Sequence, residues 1–250
     1  MSSTPASTMP QVAAAAPRVS WQPPRVLRRY CAAARLDGML GEVGQSWLSR
    51  REQDELAAWR DEGRRRGWLL GRVLGKQLLA AAAGTSIESI EILSRDEQGR
   101  VNRPRVWHDG KPLAWSLSIS HADHGALVAL TPYEGVTIGV DLTDRDTFSP
   151  RIVDLWFTPA EKAWYRDAGA AHIGAYIWAA KEAIYKATSA GESFAPRDIE
   201  IRPDGQCHHR NLPLANCQLK SWTVDGHLAV LAIVRSPVSS NSTTTTIHCR

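Results

Sequence analysis

Two acidic residues stand where a carboxylate can do chemistry. Asp141 closes the apolar run VTIGVD, at the place where a chain leaves a sheet, and Glu182 lies inside the helical segment IWAAKEAIYK. A carboxylate at a strand exit is a natural metal ligand, although a lone Asp there reads more readily as a cap for the turn that follows. Glu182 has more company. Trp178, Glu182 and Lys186 fall at i, i+4 and i+8, so they share one helix face with Lys181 beside them, and that face carries an anion and cations together. On an open helix the Glu182/Lys186 pair would be an ordinary surface ion pair worth about 0.2–0.5 kcal/mol. Here Ile177, Ile184 and Tyr185 flank it, and charges that border apolar contacts need a partner or a metal. Two carboxylates with neighbouring lysines are the groups that hold a divalent cation against an anionic, phosphate-bearing substrate.

Two further segments belong in the same comparison. FTPAE, Phe157 to Glu161, places Thr158 as a helix N-cap, Pro159 first in the helix and Glu161 where it can reach back. A capping box explains that spacing completely. SISHADHG, from Ser118 to Gly125, follows a strand and offers Ser120, His121 and nearby backbone amides as a cradle for an anion. A single histidine in such a place is more often satisfied locally.

The elements that must position these residues follow from the apolar pattern. Ser49 followed by Glu52 marks a helix start, and Arg64 to Gly84 sets Leu69, Val73, Leu74 and Leu78 at helical spacing before stopping at a glycine. The pieces SIEIL, LAWSLSIS, GALVAL and VTIGVDL then alternate with turn-rich DEQGR and HDGKP, which predicts a sheet. The order restarts with FTPAEKAWYRD and HIGAYIWAAKEAIYKATSAG as helices and DIEIRPDG, QLKSWTV and GHLAVLAIV as strands. Helices then strands, twice, predict an α+β protein of two similar halves, 23–134 and 135–236, the second carrying the metal site. The polar, repetitive ends, 1–22 and 237–250, are expected to be disordered tails.

Composition narrows the class. With 43% hydrophobic residues in 250, the chain can bury a sizeable core, and 30 basic against 26 acidic residues give a net charge of +4 that suits an anionic ligand or acidic partner. RRYCAAAR and RRRGW are basic, but no nucleic-acid-binding motif accompanies them, so no nucleic acid is expected as a partner. No run of 18 apolar residues and no leader pattern predicts a membrane span or secretion. Cys31, Cys207, Cys217 and Cys249 lack the spacing of a zinc site or a disulfide framework, and a reducing cytoplasm fits best. Ten scattered tryptophans read as packing.

The ordered set is more specific than any member. GKP, SxSH, IGVD, FTPAE and WAAKEAIYK, in that order, resemble the 4′-phosphopantetheinyl transferases, and in particular the larger single-chain, surfactin-synthetase-activating type with two pseudo-symmetric halves. The resemblance implies that Asp141 and Glu182 hold Mg2+ with the pyrophosphate of coenzyme A, that Glu161 is the base, and that Lys186 acts in catalysis. It implies that Lys181, Lys186, Ser120, His121 and Lys111 contact coenzyme A, with Arg65, Arg66 and Arg72 near the nucleotide. The implied reaction moves the 4′-phosphopantetheine arm onto a serine of an acyl or peptidyl carrier protein and releases 3′,5′-ADP. Two halves in one chain favour a monomer. One departure stands out: many relatives carry an acid two residues after the strand-end aspartate, and this chain has Thr143. Thr143 is the best argument for an alternative, a degenerate relative that binds coenzyme A or a carrier protein without catalysis.

Overall fold

The computed structural model describes residues 25–32, 35, 38, 44–96, 99–122, 125–145, 148–189 and 192–235. The two tails expected to be disordered lie outside the described residues. Strand β1 (Leu27–Ala32) leads to helices α1 (Arg50–Ala57) and α2 (Glu62–Ala83), then to β2 (Ile90–Arg95), β3 (Val101–His108), β4 (Lys111–Leu113), β5 (Ser116–Ala122) and β6 (Gly125–Thr131). The order then repeats. Strand β7 (Val136–Asp144) leads to α3 (Pro150–Trp156), α4 (Pro159–Ala168) and α5 (Ala171–Thr188), then to β8 (Ile199–Ile201), β9 (Cys207–His209), β10 (Leu212–Pro213), β11 (Cys217–Val224) and β12 (His227–Arg235).

Local chemistry sets the helix ends. Ser49 accepts from the Glu52 amide while Glu52 reaches back to the Ser49 amide, and Thr158 and Glu161 do the same for α4. Helix α2 stops where Gly84 takes a left-handed φ of 66°, which a residue with a side chain adopts only at a cost.

Sheet topology repeats as well. Strands pair antiparallel in the orders β1-β6-β5 and β2-β3-β4, and again as β7-β12-β11 and β8-β9-β10. The protein is therefore α+β, built from one motif used twice. Helix α2 packs Leu70, Leu74 and Leu79 against Val128 and Leu130, and α5 packs Ile177, Ala183 and Ile184 against Val230 and Ala232. Between the halves, Leu127 and Ala129 of β6 meet Ile138, Val140 and Leu142 of β7. Strand β7 thus sends its even-numbered side chains to that shared core. Its odd-numbered ones, Gly139 and Asp141 among them, face α5.

Candidate active site

The close approach of α5 to β7 creates the site. A Cβ at Gly139 would stand 1.9 Å from the Ala183 carbonyl oxygen and 2.8 Å from the Ala187 amide nitrogen, so only glycine lets the helix lie so near. One turn along, Lys186 Nζ donates to Asp141 Oδ1 at 2.6 Å and lies 3.3 Å from Glu182 Oε2. Both carboxylates therefore converge on one cation. Ser120, arriving on β5 from the other half, donates its hydroxyl to Asp141 Oδ1 at 2.9 Å and accepts from the Leu142 amide at 3.2 Å and from Lys186 Nζ at 3.4 Å.

The environment tunes these groups. Burial pushes the Asp141 carboxyl up to about 6, against the Lys186 charge that favours its ionised form. Burial works to lower the Lys186 ammonium, but Asp141 and Glu182 outweigh it and hold the lysine above its usual range. His121 follows Ser120, and its ring lies over Gly67 of α2, where a Cβ would come within 3.1 Å. That packing takes water from the ring although the residue as a whole stays exposed, and with Lys186 nearby it pushes the imidazole down, leaving it neutral at pH 7.

Glu161 and Lys181 are not part of this cluster. Glu161 Oε2 takes the Lys181 ammonium at 2.8 Å and the Thr158 amide at 2.8 Å, while Oε1 takes the Ile201 amide at 2.8 Å, and both side chains are 0% exposed. Lys181 completes its shell on the carbonyls of Pro196 and Ile199. The first half holds a copy. Glu52, the α1 capping-box acid, takes Lys76 of α2 at 2.7 Å and the Ile92 amide at 3.0 Å, again at 0% exposure, and Lys76 donates to the Trp47 carbonyl at 2.5 Å. The same buried network therefore stands in both halves and ties helix to sheet in each.

The remaining expectations separate by location. Arg72 is buried, bonded to Glu55, Ser94 and the Ile92 carbonyl and stacked over Trp68, so it ties α2 to β2 and does not face a ligand. Arg66 and Lys111 are exposed, on α2 and at the start of β4. Asp144 pairs with His227 at 3.0 Å on the face of β7 opposite Asp141, so it does not replace the acid absent at Thr143. Sequence reasoning missed Arg103. From β3 it donates across the halves to the Ser189 carbonyl at the end of α5, and with Ser118, Tyr185 and Lys186 it lines a cleft of about 140 Å³. The signal for Arg103 is non-local, since 86 residues separate it from its partner.

Comparison with known families matches part of this architecture. Residues 137–233 match the 4′-phosphopantetheinyl transferase superfamily. No curated protein matches the chain. The matched span contains Gly139, Asp141, Glu182 and Lys186. Ser120 and His121 come from outside that span, on the strand that the first half lays against β7. Among the described residues no helix is long and apolar enough to cross a membrane.

Proposed function

We propose that this protein transfers the 4′-phosphopantetheine arm of coenzyme A to a serine of an acyl or peptidyl carrier protein, releasing 3′,5′-ADP, in a Mg2+-dependent reaction. The observation that carries the reading is the convergence of Asp141 and Glu182 on a single cationic nitrogen beside a cleft between the halves. The residues fit the ion by the chemistry of their donors. Mg2+ takes hard oxygen ligands, commonly one or two carboxylates completed by water and substrate phosphate. Among the described residues no group of three His, Cys, Asp or Glu converges, so two carboxylates are what the protein offers.

When bound, the ion would neutralise pyrophosphate charge as it develops on the leaving group. The chain's own residues do the rest. Asp141 is held in one rotamer by Ser120 and Lys186, which removes the entropy cost of aligning it. Lys186 supplies a fixed positive charge where phosphoryl oxygens gather. Glu161, enclosed on every oxygen by Lys181, Thr158 and Ile201, frames α5 and offers no free oxygen to take the proton of the incoming serine. The basic balance of the chain complements an acidic carrier surface.

The test is the intact mass of an apo carrier protein after incubation with coenzyme A and Mg2+, run over a panel of carriers with Mn2+ alongside. One added phosphopantetheine arm is the expected result. A second reading, a module that binds coenzyme A or a carrier without transfer, is favoured by Thr143 and by the two-carboxylate site. Unchanged mass across the whole panel, with binding retained, would establish it.

A further inference from the structure

Among the described residues strand β7 pairs with β12 along one edge, and the amides of Ile138, Val140 and Leu142 point outward from its other edge. An uncovered edge is costly unless its donors find partners. They do so in an unusual way. Ser116, Ser118 and Ser120 of β5, two residues apart in SLSIS, turn three hydroxyls to that edge, and the amides of Ile138, Val140 and Leu142 donate to them at 3.0, 2.9 and 3.2 Å. The halves are joined here by side-chain hydroxyls where a backbone ladder would otherwise run. Ser120 continues the chain of bonds into the site by donating to Asp141.

A ladder of directional bonds at successive amides fixes register.

We propose that Ser116 and Ser118 are positioning residues: their hydroxyls lock β7 to β5 in one register and so hold Asp141 where Ser120, Lys186 and Glu182 meet it. The proposal rests on the transferase reading for its activity assay and on the two-carboxylate metal site of that reading for its Mg2+ measurement, whereas hydrogen exchange rests on neither. Ser118 is the position to probe, since it touches neither Asp141 nor Lys186 and lines the 140 Å³ cleft, which leaves room for the extra methyl of threonine. Ser118→Ala removes the acceptor of the Val140 amide, while Ser118→Thr keeps it.

Three measurements decide the matter: hydrogen exchange at the Val140 and Leu142 amides, Mg2+ affinity by calorimetry, and kcat/KM for carrier modification. In Ser118→Ala both amides exchange at least about tenfold faster, Mg2+ binds at least about tenfold more weakly, and kcat/KM falls by at least about tenfold, in line with the effect of removing a support behind a metal ligand. Ser118→Thr restores all three. Ser118→Ala with wild-type exchange and Mg2+ affinity would overturn the proposal, as would a threonine variant no better than alanine. Hydrogen exchange requires neither turnover nor metal, so wild-type protein that is inactive on every carrier and binds no Mg2+ would sink the transferase reading and leave the register lock to be judged on exchange. Should Ser118→Ala not fold, the same comparison at Ser116, whose partner is the Ile138 amide, replaces it.

Discussion

Gly139→Ala is the sharpest test of how the site is built. The added Cβ would lie 1.9 Å from the Ala183 carbonyl oxygen, 2.9 Å from its carbonyl carbon and 2.8 Å from the Ala187 amide nitrogen, all of them backbone atoms that no rotamer change can move. Ordinary contact begins near 3.4 Å, so α5 must withdraw from β7 by about 1.5 Å at this point. Lys186 and Glu182 travel with it. The 2.6 Å bond from Lys186 to Asp141 would then exceed hydrogen-bond range, and the two carboxylates would no longer share one cation. Overpacking of this kind costs about 1–3 kcal/mol, and a 1 Å misplacement of catalytic groups costs about 10²-fold in rate. The expected result is a folded protein, lower in Tm by several degrees, with kcat/KM down about 100-fold and Mg2+ binding weakened. Gly174→Ala on the same helix is the comparison, because its Cβ meets the rings of Phe148 and Tyr165, side chains that can shift. It should lose stability while kcat/KM stays near wild type. Wild-type kcat/KM in Gly139→Ala would refute the claim that close packing of α5 on β7 sets the site.

Three other outcomes follow from the same geometry. Glu182→Gln should weaken Mg2+ binding by at least about tenfold and abolish measurable transfer with the fold intact; normal turnover in that variant removes the metal assignment. Glu161→Gln leaves Lys181 charged and unpaired in the core, so it should cost about 3–5 kcal/mol of stability in denaturant melts, as should Glu52→Gln through Lys76, with turnover per folded molecule retained. Turnover lost at unchanged stability would instead restore Glu161 as the base. Binding of Mg2+ to Asp141 needs the anion, so calorimetric affinity should fall as pH drops through about 6 and level off above it, the folded-state value being raised from 3.8 by burial. In the metal-free protein the sign is opposite for stability: the fold holds this proton more tightly than the unfolded chain, so the contribution is present below 3.8 and lost as pH rises through about 6.

Much of this protein is legible from local pattern alone. The caps at Ser49 and Thr158, the glycine stop at Gly84 and the strands of period two are decided within a few residues by hydrogen bonding and φ preferences, and a sequence displays them directly. Element order, helices then strands and again helices then strands, sufficed for an α+β chain with a repeated motif. The charged types at Asp141, Glu182 and Lys186 stood out in the sequence, and the structure brings the three side chains together. Which acidic residues work together was decided by tertiary structure. Glu161 and Glu182 carry the same group, yet one faces the interior of its own half and spends every oxygen on Thr158, Ile201 and Lys181, while the other stays partly exposed beside Lys186. That difference depends on which face of α5 meets β7, and so on the 1.9 Å approach at Gly139, a contact between residues 44 positions apart in the chain. Arg103 and the serines of β5 stayed hidden for the same reason: their partners lie 86 and about 22 residues away, and only folding brings a hydroxyl or a guanidinium to a particular amide or carbonyl.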